Sequence, residues 1–329
     1  MTEHLLQRRI VTIGGGSGGF VVNRGLVQYP VAPTAICTVF DNGGSTGKLR
    51  DEFGSLPQGD IRRCMLALAD GEYDTLRAIF NHRFNGNGKG LSEHNVGNVL
   101  LLAAEQLWGP IEGIQRVSKL LGTKGQILPI SVDAADLIAE LSDRSLVRGE
   151  AAIDTRPLSD KRSIVRVALE PEAFIAREAA EAIKQAEVIV LGPGDLYTSL
   201  IPNFLVKGVA ESIRLSGARV VYVCNIMTKY AETNGFGVID FVETLFRYHI
   251  GRDLLDAIIV NSTPIPDALQ KVYADTEKAF PVRYEHTMDE LLSLRAKQVV
   301  VADVLSEPAL NQSLVRHDSA KLARVIMAL

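Results

Sequence analysis

Short apolar runs set the pattern of this chain. The runs "RIVTI" (9–13), "TAICTVF" (34–40), "EVIVLG" (187–192), "RVVYVCN" (219–225), "DAIIVN" (256–261) and "QVVVADVL" (298–305) are rich in β-branched residues and show no polar alternation. Such runs predict strands buried on both faces. Between them the apolar residues recur at helical spacing, as in "FVVNRGLVQY" (20–29) and "DIRRCMLALAD" (60–70). In the second, Ile61, Met65, Leu66 and Leu68 share a face and Asp60 is placed to cap the start. The same spacing predicts helices over 73–81, 95–108, 111–121, 172–185, 203–216, 237–249 and 319–329.

Alternation of strand and helix predicts an α/β fold: a Rossmann-like, doubly wound, mainly parallel sheet with helices on both faces. The segment from about 123 to 170 breaks the alternation. Its runs "GQILPISV", "SLVRGE" and "SIVRVALE" read as strands joined by short turns, which predicts a small inserted subdomain. With 329 residues and no repeat or low-complexity tract, the expectation is a single domain over 1–329.

Composition narrows the classes. Apolar residues make up 47% and charged residues 22%, enough for a sizeable core. A net charge of -4 argues against a nucleic-acid partner. The start "MTEHLLQRR" has no apolar stretch of the signal-peptide kind, and no run approaches the roughly 18 residues needed to span a bilayer. The expected location is cytoplasmic, without membrane attachment. Cys37, Cys64 and Cys224 are far apart, and the two within apolar runs read as buried hydrophobes. The six histidines are scattered and no CxxC occurs, so zinc is not expected. For oligomeric state the base-rate expectation is a homodimer.

The candidate chemistry lies at three strand ends. In open α/β sheets ligands bind beyond the carboxyl ends of the strands. The first loop, Gly14, Gly15, Gly16, Ser17, Gly18 and Gly19, lets backbone approach a phosphate and opens a helix whose N–H groups face the anion. The second runs from Asp41 through Gly43, Gly44, Ser45 and Gly47 to Lys48 and Arg50, followed by Asp60, Arg62 and Arg63. Its glycines offer N–H groups and its arginines a bidentate grip on phosphate, with Arg50 or Arg62 expected on a diphosphate. Asp41 and Asp60 could hold Mg²⁺ between phosphate oxygens. The third, "LGPGDLYTSLIPN" (191–203), offers Gly192, Gly194, Thr198 and Ser199.

Two simpler motifs do not fit. A P-loop, GxxxxGK(S/T), fails because Asn42 and Leu49 stand at its two ends. An NAD site accounts for Gly14, Gly16, Gly19 and an acid at Asp41, but not for the second glycine-rich loop; no NAD is expected. No nucleophile pair is visible, so no catalytic residue is assigned.

The segments "GGGSG", "DNGGSTGKLR", "PQGDIRRC", "HNVGN", "GPGDLYTSLIPN" and "CNIMTKYAETNGF", in that order, resemble the 2-phospho-L-lactate transferase/gluconeogenesis factor family from about residue 9 to 240. The family has two branches. One is a Mg²⁺-dependent transferase of deazaflavin coenzyme synthesis that acts on a nucleoside diphosphate conjugate. The other is the bacterial gluconeogenesis factor, a UDP-sugar-binding protein associated with gluconeogenic growth and cell shape. The second loop resembles the factor. The resemblance implies a nucleotide-sugar ligand and adds Asn98, Tyr197, Asn225 and Thr228 to the site. It also implies that Asn42, where the family carries a second acid, weakens Mg²⁺ binding and transferase chemistry. Gly19 and Phe20 replace the family's usual leucine-serine pair.

Overall fold

The computed structural model describes residues 7–84, 86, 90–248, 250, 254–285, 292–293, 295–307 and 314–329. Seven parallel strands form the central sheet: β1 (Arg8–Gly14), β2 (Val31–Cys37), β3 (Gln126–Pro129), β7 (Val188–Leu191), β8 (Arg219–Val223), β9 (Ala257–Asn261) and β10 (Gln298–Ala302). Their order is β10-β9-β8-β7-β1-β2-β3. The chain therefore builds outward from β1 in one direction and then returns to build outward from β7 in the other. The switch falls between β1 and β7, where the helices that follow pass to opposite faces of the sheet and a crevice opens at the carboxyl edge. Register aligns the edge: Gly14 pairs with Cys37, and Ile13 with Leu191.

Strand residues alternate between two buried layers, which is why the runs show no polar alternation. Ile10, Val188, Val190, Val221 and Ile259 face the helices Gly16–Leu26 and Ser319–Ala328. Ile13, Ile36, Ile189 and Ile258 face the other side, under helices that contribute Ile61, Met65, Leu101, Ile183 and Phe241. Helices Gly16–Leu26 and Ser319–Ala328 touch closely: a Cβ on Gly25 would lie 2.1 Å from the Ser319 carbonyl oxygen.

A separate three-stranded antiparallel sheet, β5-β4-β6, comprises β4 (Asp136–Leu141), β5 (Leu146–Arg148) and β6 (Ile164–Glu170). The irregular middle segment thus divides, since β3 joins the main sheet and the rest forms the small one. β4 escaped the sequence reading, and so did the helix Asp267–Thr276. The run expected as one helix over 203–216 is two, Ile201–Leu205 and Val209–Ser216, parted at Gly208 with φ +98°. The helix over 237–249 is Val238–Arg247, and His249 lies outside the described residues. The second glycine-rich segment is not all loop. Gly44–Phe53 is helical, which rearranges its side chains in the site below.

Candidate functional site

A cleft of about 770 Å³ opens at the switch point, beyond the carboxyl ends of β1, β2 and β7. All three predicted loops reach it through Gly16 and Ser17, through Asp41, Gly43, Gly44 and Ser45, and through Thr198 and Ser199. The helices Gly16–Leu26 and Gly44–Phe53 both begin at it. Their first turns carry N–H groups without intrahelical partners, so two positive helix ends face one space.

Asp60 joins the first two loops. The helix Gln58–Leu68 starts two residues before it, with Pro57 as cap, so Asp60 sits in the first turn and is not the cap that the sequence predicts. Its carboxylate accepts from the Gly16 N–H and from Arg63 Nη1 at 2.7 Å. Burial pushes the Asp60 pKa up, against the pull of Arg63 and the Gly16 N–H. A Cβ on Gly15 would lie 2.2 Å from Asp60 Oδ2, so Gly15 serves this contact and not the cleft.

The structure also sorts the other predicted residues. Asn98 lines the cleft, and its Nδ2 donates to Ser45 Oγ at 3.1 Å. Gly14 and Gly192 pack against each other behind the wall, while Gly18 and Gly194 face a smaller side pocket with Asn225. Asn225 Nδ2 donates to the Gly194 carbonyl at 2.8 Å. Four predicted side chains lie elsewhere. Lys48 pairs with Glu93, and Arg50 pairs with Asp136 at 2.8 Å. Tyr197 is buried, with its hydroxyl at Thr244. The Thr228 hydroxyl accepts the Phe280 N–H at 2.9 Å. The cause for the first two is helical geometry. Ser45, Thr46 and Leu49 form the buried face of Gly44–Phe53, and at roughly 100° per residue positions 48 and 50 fall to either side of it.

Asn42 is turned away from the cleft. Its Oδ1 accepts the Ala151 N–H at 2.9 Å, tethering the short helix Glu150–Asp154. That helix supplies what the sequence reading missed. Glu150 reaches Asp41, and burial first, then Asp41, pushes the Glu150 pKa up to about 8. Thr38, 3% exposed, lines the same cleft with a hydroxyl that has no partner among the described residues. Two close carboxyls and an orphan hydroxyl fit a hard divalent cation, which takes oxygen ligands. Beside them Asp154, Asp195 and Glu232 lie within 4.8 Å of one another. Lys229 sits among these three, bonded to Asp154, 2.7 Å from Asp195 and 3.6 Å from Glu232.

The opposite wall is basic and partly aromatic. Arg62, Arg63, Arg77 and Arg83 line it, with Phe20 and Tyr73, whose ring centroids are 6.3 Å apart. Arg316 enters from the segment after β10. Glu150, Arg77, Arg83 and Arg316 carried no local signal, since none adjoins a glycine-rich strand end.

Comparison with known proteins agrees with this architecture. Residues 10–305 match the family model described as 2-phospho-L-lactate transferase CofD. The gluconeogenesis factor of Halalkalibacterium halodurans is 40% identical over 324 residues, covering 98% of this chain and 96% of that protein. The gluconeogenesis factor of Bacillus subtilis is 38% identical, covering 98% of each. A crystal structure of a Bacillus halodurans protein superposes with a TM-score of 0.89 at 39% identity, over 98% of this chain and 99% of that one. Among the described residues no helix is long and apolar enough to cross a membrane.

Proposed function

The chain belongs to the 2-phospho-L-lactate transferase CofD family, which includes the gluconeogenesis factors, and we propose that it is a cytoplasmic nucleotide-sugar-binding regulatory protein linked to central carbon metabolism and cell shape. The observation that carries this reading is the meeting of two helix N-termini and three glycine-bearing strand ends at one switch-point cleft. Free backbone N–H groups on converging helix dipoles favour a diphosphate. Ser17 and Ser199 flank that seat, and Arg316 adds a positive charge at its mouth. A UDP-sugar supplies the matching ligand: two charges at the diphosphate, with a nucleoside and a sugar on either side.

The test is a thermal-shift panel of UDP-N-acetylglucosamine, UDP-glucose, GDP, ATP and NAD, each with and without Mg²⁺. A ligand at a hundred times its dissociation constant adds about 2.7 kcal/mol of stability. The expected result is a shift with UDP-sugars and none with NAD. A shift with NAD alone would overturn the reading.

One observation favours a second reading, a Mg²⁺-dependent transferase acting at a phosphoanhydride. Asp41 and Glu150, with the Thr38 hydroxyl, would hold the metal, which neutralises charge on a leaving phosphate. The remaining work is positioning, for which Asp60 fixes the first loop and Arg63 neutralises Asp60. Chromatography for phospholactate transfer to a deazaflavin alcohol tests it. Multiple turnovers would establish the transferase, and UDP-sugar binding without turnover would support the regulator.

A further inference from the structure

Arg62 is a buried cation that pairs with no carboxylate among the described residues. It is 9% exposed, its Nε donates to the Asn98 amide oxygen at 3.0 Å, and its Nη1 donates to the Asn81 amide oxygen. Both partners are neutral. A buried charge is costly unless paired, because it has given up water without gaining an opposite charge. The guanidinium shows that cost: burial, then Arg63 and Arg83, pull its pKa down to about 10.

The neighbours add to the imbalance. Arg77 lies one turn before Asn81 on the helix Tyr73–Asn81, lines the cleft, and makes no hydrogen bond or ion pair among the described residues. Arg83 donates to the neutral Glu93 carbonyl at 2.9 Å. Among the described residues, Arg63 is the one of the four arginines on this wall that pairs with a carboxylate, Asp60. The wall lines the same cleft as the diphosphate seat but lies to one side of the first loop. Asp60 faces Gly16 in the first loop, whereas Arg62 reaches away from it to the helices Tyr73–Asn81 and Val96–Trp108.

We propose that Arg62, Arg77 and Arg83 form a second anion subsite, which takes the doubly charged phosphate or dicarboxylate of a separate small metabolite bound beside the nucleotide. Guanidinium groups match such oxyanions bidentately, and Asn81 and Asn98 hold Arg62 in place for the contact. UDP-glucose and UDP-N-acetylglucosamine have neutral sugars and cannot supply this charge while their diphosphate occupies the switch point. The position of the subsite rests on the nucleotide reading above, but its existence rests on the arginines alone.

The experiment is calorimetric titration of inorganic phosphate, and separately of succinate, into the full chain at constant ionic strength, with and without saturating UDP. The expected result is that at least one binds with one-to-one stoichiometry, and that UDP changes its Kd by less than about threefold, since separate sites couple weakly. Phosphate binding points to a phosphorylated metabolite and succinate binding to a dicarboxylate. Arg77→Ala should weaken that oxyanion by about tenfold or more, the loss of one charge-assisted contact, and leave UDP affinity within about twofold. Arg77 is exposed, so the fold should survive, and Arg83→Gln provides an independent second variant. Competition between the oxyanion and UDP, no binding of either oxyanion, or binding indifferent to both variants would overturn the subsite. Arginine-dependent oxyanion binding without any UDP binding would keep the subsite and remove the nucleotide reading.

Discussion

Gly18 lies directly against the backbone of Pro193: a Cβ on Gly18 would fall 1.5 Å from the Pro193 carbonyl oxygen. The first and third strand-end loops are therefore in contact through bare backbone, and the cleft takes its shape from that contact. Gly18→Ala must push the loops apart. We expect a loss of roughly 1–3 kcal/mol or more in urea denaturation, the range for overpacking, together with loss of nucleotide binding. Gly19→Ala is the control. Its added Cβ meets nothing nearer than 4.0 Å, and inside a helix alanine is favoured over glycine, so stability should hold or rise slightly.

Glu150, and not the residue at position 42, places the second carboxyl beside Asp41. Asn42→Asp retains an acceptor for the Ala151 N–H and adds its charge away from the cleft, so Mg²⁺ affinity should change by less than about threefold. Glu150→Gln removes one carboxyl of the adjoining pair Asp41 and Glu150 and should weaken Mg²⁺ by about tenfold, or roughly 1.4 kcal/mol. Calorimetry with Mg²⁺ decides. A strong gain in Asn42→Asp would return the metal site to that position.

Glu232 holds the third loop from below. Its carboxylate accepts the Tyr197 N–H at 2.7 Å and the Thr198 hydroxyl at 2.8 Å, both buried. Glu232→Ala leaves both donors unsatisfied and should cost about 2–5 kcal/mol. Glu232→Gln keeps one acceptor oxygen and should cost less. Equal denaturation midpoints for Glu232→Ala and wild type would show that the loop is held by other contacts.

His317 gives the fold a pH dependence of known sign. Its ring meets the Cys224 carbonyl at 3.2 Å through Nε2, and burial lowers its pKa to about 4. In the unfolded chain a histidine titrates near 6.5. As pH falls below about 6.5, the unfolded state takes up a proton that the native state refuses until about 4. The stability is whole above that window and is lost across it, by about 2 kcal/mol at pH 5. His317→Gln keeps a donor for the carbonyl and removes the titration. The wild-type loss of stability between pH 7 and pH 5 should exceed that of the variant by this amount. Parallel pH profiles would contradict it.

The sheet was legible because strands buried on both faces leave long β-branched runs, and the crevice was legible because glycine is needed where backbone must turn or touch, as at Gly16 and Gly18. The reading failed where residues act at a distance. Lys48 and Arg50 looked like phosphate ligands because they adjoin glycines, but the helix Gly44–Phe53 turns them to Glu93 and Asp136. Glu150 and Arg316 enter the cleft from segments remote in sequence, and no spacing rule connects them to Asp41 or Gly16. The position of Asn42 was hidden for the same reason, since its partner Ala151 is 109 residues away.

Nucleotide-sugar binding at this cleft requires a diphosphate at the switch point. A crystal structure of the protein with UDP-N-acetylglucosamine and Mg²⁺ locates it. The prediction is two phosphate groups at the switch point, within hydrogen-bonding reach of the first turn of Gly16–Leu26 and of Ser199, with Arg62 and Arg77 free of them. A diphosphate bound across Arg62 and Arg77, or away from the ends of β1 and β7, would contradict it.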